Sequence, residues 1–175
     1  MRVIGVDPGN SVTGFGLVER SPTLSYVASG TIRSGALKRG PQRLALIYAK
    51  LLAVIDQHQP DAMSLERSFV AANVQSAFTL GEARAMAMLA AAHRGLALFE
   101  YAATDVKLTI AGHGRADKAQ VKTMVRRTLG VDDGLELADD AADALALAIC
   151  HLFRARFPRA EARSRRPLVP AQVRP

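Results

Sequence analysis

Arg2-Val3-Ile4-Gly5-Val6-Asp7-Pro8-Gly9-Asn10 opens with an apolar run that stops on a carboxylate and then turns. A short apolar run bounded by turn residues reads as a buried strand, here over residues 2–7. Two further strands are predicted at 13–19 and 24–33. They are rich in Val, Leu, Phe, Tyr, Thr and Ile and are separated by Ser21-Pro22. Beyond them the period changes. Pro41 after Gly40 suits a first helical position, and Leu44, Ile47, Leu51, Leu52 and Ile55 recur at helical spacing until Pro60.

The remaining chain alternates. Residues 61–66 read as a short strand, Val74 to His93 as a long Ala/Met-rich helix, and 97–101 as a strand. Thr104 is placed to cap a short helix reaching Ile110. Asp117 and Gln120 have the spacing of a capping box for a helix to about Leu129. Ala138 or Asp139 begins a last helix carrying Leu145, Leu147, Ile149, Cys150 and Phe153. Three strands in a meander, then strands alternating with helices, predict an α/β domain with a mixed five-stranded sheet flanked by helices. That order is the signature of the ribonuclease H-like fold.

The chain has 175 residues, 49% hydrophobic and 22% charged, which suits one globular domain with a proper core. No stretch approaches the roughly 20 apolar residues of a membrane span. Residues 1–157 are assigned to the domain, and the Arg/Pro-rich residues 158–175 to a basic tail with no assigned structure. The chain enters a strand at once, so no signal peptide is expected. The lone Cys150 excludes an intrachain disulfide, and a cytoplasmic location follows as an expectation.

Of the net charge of +7, the segment from Arg154 onward holds +6 and residues 1–153 hold +1. The tail reads either as a solvated end or as an arm that adds salt-sensitive contacts to phosphates. Against this basic background stand four carboxylates. Asp7 and Glu66 each end an apolar run, and Asp140 and Asp143 are i, i+3 neighbours on one helix face. Brought together they would repel one another and be stable only with a cation between them. Taken singly, Asp7 could shape the turn, Glu66 could be a solvated strand end, and Asp140 could serve a helix N-terminus. Acid at the centre and base around it point to a metal-dependent enzyme acting on nucleic acid.

Several segments resemble one family. Val3-Ile4-Gly5-Val6-Asp7-Pro8-Gly9 with Thr13-Gly14-Phe15-Gly16 is similar to the opening of the RuvC-type Holliday junction resolvases. So are Leu65-Glu66-Arg67-Ser68-Phe69, Phe99-Glu100-Tyr101-Ala102, Val106-Lys107-Leu108-Thr109 and Asp140-Ala141-Ala142-Asp143-Ala144-Leu145-Ala146. Order and spacing agree over residues 2–153. Val70-Ala71-Ala72 departs from the pattern, since members often carry a basic residue between the Phe69 and Asn73 positions. The Asp140 position is a His in some members.

The resemblance implies a crossover junction endodeoxyribonuclease for recombination and repair. It would make paired nicks in four-way junction DNA that leave 5′-phosphate and 3′-hydroxyl ends. Asp7, Glu66, Asp140 and Asp143 would hold two Mg²⁺ ions, or Mn²⁺ in their place, about 3.5–4 Å apart. Asp7 is the natural bridge, and Asp140 either ligates or orients the attacking water. Lys107 and Lys118 would grip the scissile phosphate, and Phe69 and Asn73 would contact DNA, Phe69 by stacking on an unpaired base. His113 could touch phosphate, whereas His58, His93 and His151 read as surface or packing residues, and none of the four is taken as a ligand.

Paired cuts at a near two-fold junction require a homodimer. The helix from Val74 to His93, apolar on more than one face through Phe78, Leu80, Met86, Met88 and Leu89, is the candidate interface. A branch-migration motor is the implied further partner. Competing readings are an actin-like phosphotransferase fragment, a nuclease of the same fold acting on RNA, and a junction binder without catalysis.

Overall fold

The computed structural model describes residues 1–35, 37, 40–67, 74–132 and 134–155. Its elements are β1 (Arg2–Asp7), β2 (Val12–Arg20), β3 (Leu24–Arg33), α1 (Pro41–His58), β4 (Ala62–Glu66), α2 (Val74–His93), β5 (Ala97–Tyr101), α3 (Ala103–Ala111), α4 (Lys118–Leu129) and α5 (Asp139–Arg154). The strands form one sheet in the order β3-β2-β1-β4-β5. β2 runs antiparallel to both its neighbours, while β1, β4 and β5 are parallel. The expected mixed five-stranded sheet is the one that forms.

β1 lies at the centre, covered on both faces, so it can afford an unbroken apolar run: Val3, Ile4 and Val6 are fully buried. The pleat then sorts its side chains. Ile4 and Val6 pack with Leu17, Met63 and Leu65 beneath Ile47, Leu51 and Ile55 of α1 and the alanines of α2. Val3, Val18 and Ala62 face the other way, toward α3, α4 and α5. Odd-numbered β1 residues and even-numbered β4 residues therefore share the α5 face. Asp7 and Glu66 are in those two sets.

Local chemistry explains most element ends. Pro41 starts α1, and Gln59 closes it in the left-handed region with its N–H returning to the Ile55 carbonyl. The Asp117–Gln120 capping box forms in both directions at the start of α4, and Gly130 ends that helix. One expectation needs correction. Thr104 does not cap α3; the cap position is Ala102, with no side-chain bond. The Ala102 carbonyl already accepts from the Asp105 and Val106 amides. The helix starts as soon as β5 ends, which leaves Thr104 inside its first turn.

Candidate active site

α5 reaches the sheet through a gap that only glycine leaves. A Cβ on Gly5 would sit 1.9 Å from the Ala144 carbonyl oxygen, and one on Gly14 would sit 1.9 Å from that of Asp140. At Gly16 it would lie 2.6 Å from Leu145 Cγ. In the sheet Gly5 pairs with Gly16 and Asp7 with Gly14, so these glycines line a single track across β1 and β2. Ala144 and Ala148 are the small residues of α5 against Gly5, and Ala141, Ala142 and Ala146 are also buried. Buried Ser64 of β4 adds a hydrogen bond, donated from Oγ to the Leu147 carbonyl at 2.9 Å. The helix backbone thus rests on the strand backbones, which brings Asp143 over the ends of β1 and β4.

Those ends stand side by side. The last registered couple of β1 and β4 is Val6 with Leu65, and Asp7 and Glu66 come next. Asp7, Glu66 and Asp143 line one cleft of about 320 Å³ together with Lys107, Lys118, Ala103, Val106, Val121, Ala146 and Leu147. Asp140 is not part of that lining; it sits one turn back along α5, its carbonyl over Gly14. Phe69 and Asn73, expected to contact DNA, lie outside the described residues, as does the tail from 158 onward.

The electrostatics follow from this crowding. Burial pushes the Asp7 carboxyl up to about 7, with help from the negative charges of Asp143, Glu66 and Asp140 against the opposing pull of Lys118. Glu66 is also raised, by burial first and Asp143 second, while Lys118, Lys107 and Arg84 act to lower it. Lys118 Nζ donates to Asp143 Oδ2 at 3.2 Å. Its own pKa is raised, chiefly by Asp143, with Asp7 and Asp140 adding to the effect. An ammonium is the positive charge that the carboxylates gather around here.

Among the described residues no three His, Cys, Asp or Glu side chains are drawn together as a finished metal shell. The donor set nevertheless fits a hard divalent cation. It offers only carboxylate oxygens, and Asp7, raised by burial first and then by the charges of Asp143, Glu66 and Asp140, is a buried carboxyl that a cation would help to ionise. Lys118 supplies part of that positive charge.

The histidines fall where packing takes them. His151 is buried and hydrogen-bonds Tyr101 Oη through Nδ1 at 2.8 Å, and His93 meets Tyr48. On the outer side of α2, Phe78, Met88 and Leu89 are exposed, whereas Leu80 and Met86 are partly buried.

A family model described as crossover junction endodeoxyribonuclease RuvC matches residues 3–151. This chain belongs to that family. The RuvC of Serratia proteamaculans is 48% identical over 153 residues, covering 86% of this chain and 87% of that protein. The RuvC of Trichlorobacter lovleyi is 44% identical over 153 residues, covering 87% and 85%. Thermus thermophilus RuvC, solved in complex with a Holliday junction substrate, superposes with a TM-score of 0.81 at 30% identity, covering 87% of this chain and 93% of that one. The yeast mitochondrial Holliday junction resolvase Ydc2 shares the fold, with a TM-score of 0.57 at 13% identity. The ribonuclease H-like fold is therefore the fold of this RuvC family member.

Sequence reasoning missed residues that build the site without entering it. The glycine track had a readable signal, three glycines inside strand patterns opposite an Ala-rich helix. Arg43 had one too. It occupies an i, i+4 stripe with Ile47, Leu51 and Ile55 that is otherwise apolar, and it is fully buried. Ser64 gave no signal, because its partner carbonyl is 83 residues away.

Proposed function

We propose that this chain is a structure-specific endodeoxyribonuclease that resolves four-way DNA junctions by metal-dependent phosphodiester hydrolysis, leaving 5′-phosphate and 3′-hydroxyl ends. The observation that carries this reading is the single cleft in which Asp7, Glu66 and Asp143 meet Lys107 and Lys118, in a family member. Carboxylates alone would repel a phosphodiester. Lysines beside them attract it, and the basic balance of the whole chain favours encounter with DNA.

Asp7, central in the sheet, would hold Mg²⁺ or Mn²⁺, two ions per site, together with Glu66 and Asp143. Bound there, such ions supply a nucleophilic water at neutral pH and neutralise charge on the phosphoryl oxygens. The residues themselves do the rest. Lys107 and Lys118 draw the scissile phosphate into the cleft. Lys118, which pairs with Asp143 at 3.2 Å, carries the ammonium that would face the phosphate. Asp140, at the rim and the weakest of the three carboxylate influences on Asp7, would accept a proton from the attacking water. The water oxygen becomes part of the 5′-phosphate, and the departing 3′ oxygen takes up a proton from solvent.

Paired nicks need two such clefts related by a two-fold axis. The exposed apolar residues Phe78, Met88 and Leu89 of α2 support a homodimer across that helix. Residues 1–157 act as the nuclease domain in the cytoplasm. Phe69 and Asn73 contact the junction, and the basic residues 158–175 add phosphate contacts. A branch-migration motor delivers the substrate. Incubating the protein with a synthetic four-way junction and Mg²⁺ tests the reading. Symmetric nicks that disappear in excess chelator support it, and an uncut junction with ready hydrolysis of RNA or ATP refutes it.

A further inference from the structure

Two arginines grip the main chain right beside the carboxylates, from the far side of the sheet. Arg43 of α1 has a side chain only 1% exposed. Its Nη2 donates to the Gly9 carbonyl at 3.1 Å and to the Asn10 carbonyl at 2.9 Å, in the turn that follows Asp7. Its Nη1 extends to α2, 3.5 Å from the Thr79 carbonyl and 3.6 Å from Glu82 Oε2. Arg84, on α2 itself, donates from Nη1 to the Glu66 carbonyl at 2.5 Å and pairs through Nη2 with Glu100. Both forks join α2 to backbone at a carboxylate-bearing strand end.

We propose that Arg43 and Arg84 are positioning residues that clamp the backbones of Gly9-Asn10 and Glu66 to α2, so that the seating of this helix sets the spacing of Asp7 and Glu66. The claim rests on the reading of those two carboxylates as catalytic metal ligands. Packing alone does not account for the arginines. A buried guanidinium is costly where an apolar side chain would fill the same space, and Arg43 Nε has no hydrogen-bond partner among the described residues. What only a guanidinium provides is several donors in one rigid plane, aimed at acceptors on different elements. Neither arginine belongs to the cleft lining.

The consequence is mechanical. Asp7 keeps its partner Gly14 on β2 and Glu66 keeps Tyr101 on β5, but the β1–β4 ladder ends one residue earlier, at Val6 and Leu65. The clamps tie both strand ends to α2 where the ladder between them stops. Groups that orient metal ligands from behind typically account for 10–100-fold in metal affinity, and misplacement of reacting groups by about 1 Å costs rate on a similar scale.

The test uses the full-length protein and the variants Arg43→Lys, Arg84→Lys and Glu82→Gln, with Asp56→Asn as a control that breaks the exposed Arg94 pair elsewhere. Lysine keeps the charge and removes the fork. Backbone amide exchange would be measured in metal-free protein, Mn²⁺ affinity by titration, and junction binding in chelator. Arg43→Lys should speed exchange over residues 9–12, and Arg84→Lys over 64–67. Each should weaken Mn²⁺ binding about tenfold or more while junction affinity stays within about twofold. Glu82→Gln should act on the same segment as Arg43→Lys by about threefold, as suits a half-exposed partner.

Folded lysine variants with local exchange and Mn²⁺ affinity equal to those of the control would overturn the proposal. If Arg43→Lys does not fold, Glu82→Gln decides for that clamp: no change in exchange over 9–12 refutes it. Exchange and Mn²⁺ binding do not require cleavage. A wild-type protein that binds Mn²⁺ yet cuts no junction would sink the functional reading and leave the clamps standing.

Discussion

The two faces of the sheet are built on opposite principles. Beneath α1 and α2 the strands offer Ile4, Val6, Leu17, Met63 and Leu65, large side chains that interlock with Ile47, Leu51 and Ile55. Beneath α5 they offer Gly5, Gly14 and Gly16, which meet Ala144, the Asp140 carbonyl and Leu145 in turn. The first face is held by volume, which tolerates exchange of one hydrocarbon for another of similar size. The second is held by backbone against backbone, which has no slack. The carboxylates belong to the second face. A cluster of like charges needs its members fixed to a fraction of an ångström, and a helix seated on glycine gives less room for drift than one resting on flexible side chains.

The comparison can be broken at several points. Removing charge from the α5 face should have the largest effect. Asp7→Asn should lower single-turnover cleavage of a four-way junction by more than about a hundredfold, beyond the loss for groups that merely orient ligands. Junction binding in chelator should be unaffected, and equal loss of both would mark Asp7 as structural. Next comes bulk on neighbouring residues of one strand. Gly5→Ala pushes into the Ala144 carbonyl and should destabilise the protein by about 3 kcal/mol, the upper end for overpacking. Ile4→Val, on the other face, should cost about 1 kcal/mol. Urea unfolding of both variants measures the ratio, and equal costs would show that the faces are alike.

The third point is pH. Asp7 in the folded, metal-free protein is raised to about 7, from an ordinary value of 3.8. The folded state therefore holds that proton more tightly than the unfolded chain does. Its stabilising contribution is complete below about pH 4 and is lost as pH rises through about 7. In chelator, the Tm of the wild type should fall across that range relative to Asp7→Asn, and the variant should be the more stable of the two at pH 8. The surface carboxylates Asp56 and Asp139, held low by Arg94 and Lys122, act in the opposite sense. They do so in both proteins and cancel in the difference. The smallest effect is expected from Ser64→Ala, which removes one buried hydrogen bond between β4 and α5. It should cost about 1 kcal/mol by thermal unfolding.

How much of this was legible in advance depends on how far apart the interacting residues are in the chain. The strand at 2–7, the capping box at Asp117 and Gln120 and the helix from Val74 to His93 depend on neighbours within a few positions, and all three form as expected. Thr104 was misjudged because a cap position is set by where the preceding strand releases the chain. The nearness of Asp7, Glu66 and Asp143 was suggested by motif order alone. Nothing local distinguishes Asp140, which stays at the rim, from Asp143, which enters the cleft: both sit on the same face of α5. Lys118 as the cation beside Asp143, and the arginines behind the strand ends, join elements whose proximity no local pattern contains.

By itself, the order of residues determined the elements, the family and the types of group available for chemistry. These are matters of period, turn residues and functional-group identity, all of which act over a handful of bonds. Tertiary structure alone decided which carboxylates share a cleft, which ammonium balances them and which guanidinium forks hold them in place. Coulomb forces and hydrogen bonds depend on distances in space, and those distances exist only once α5 has settled onto its glycines.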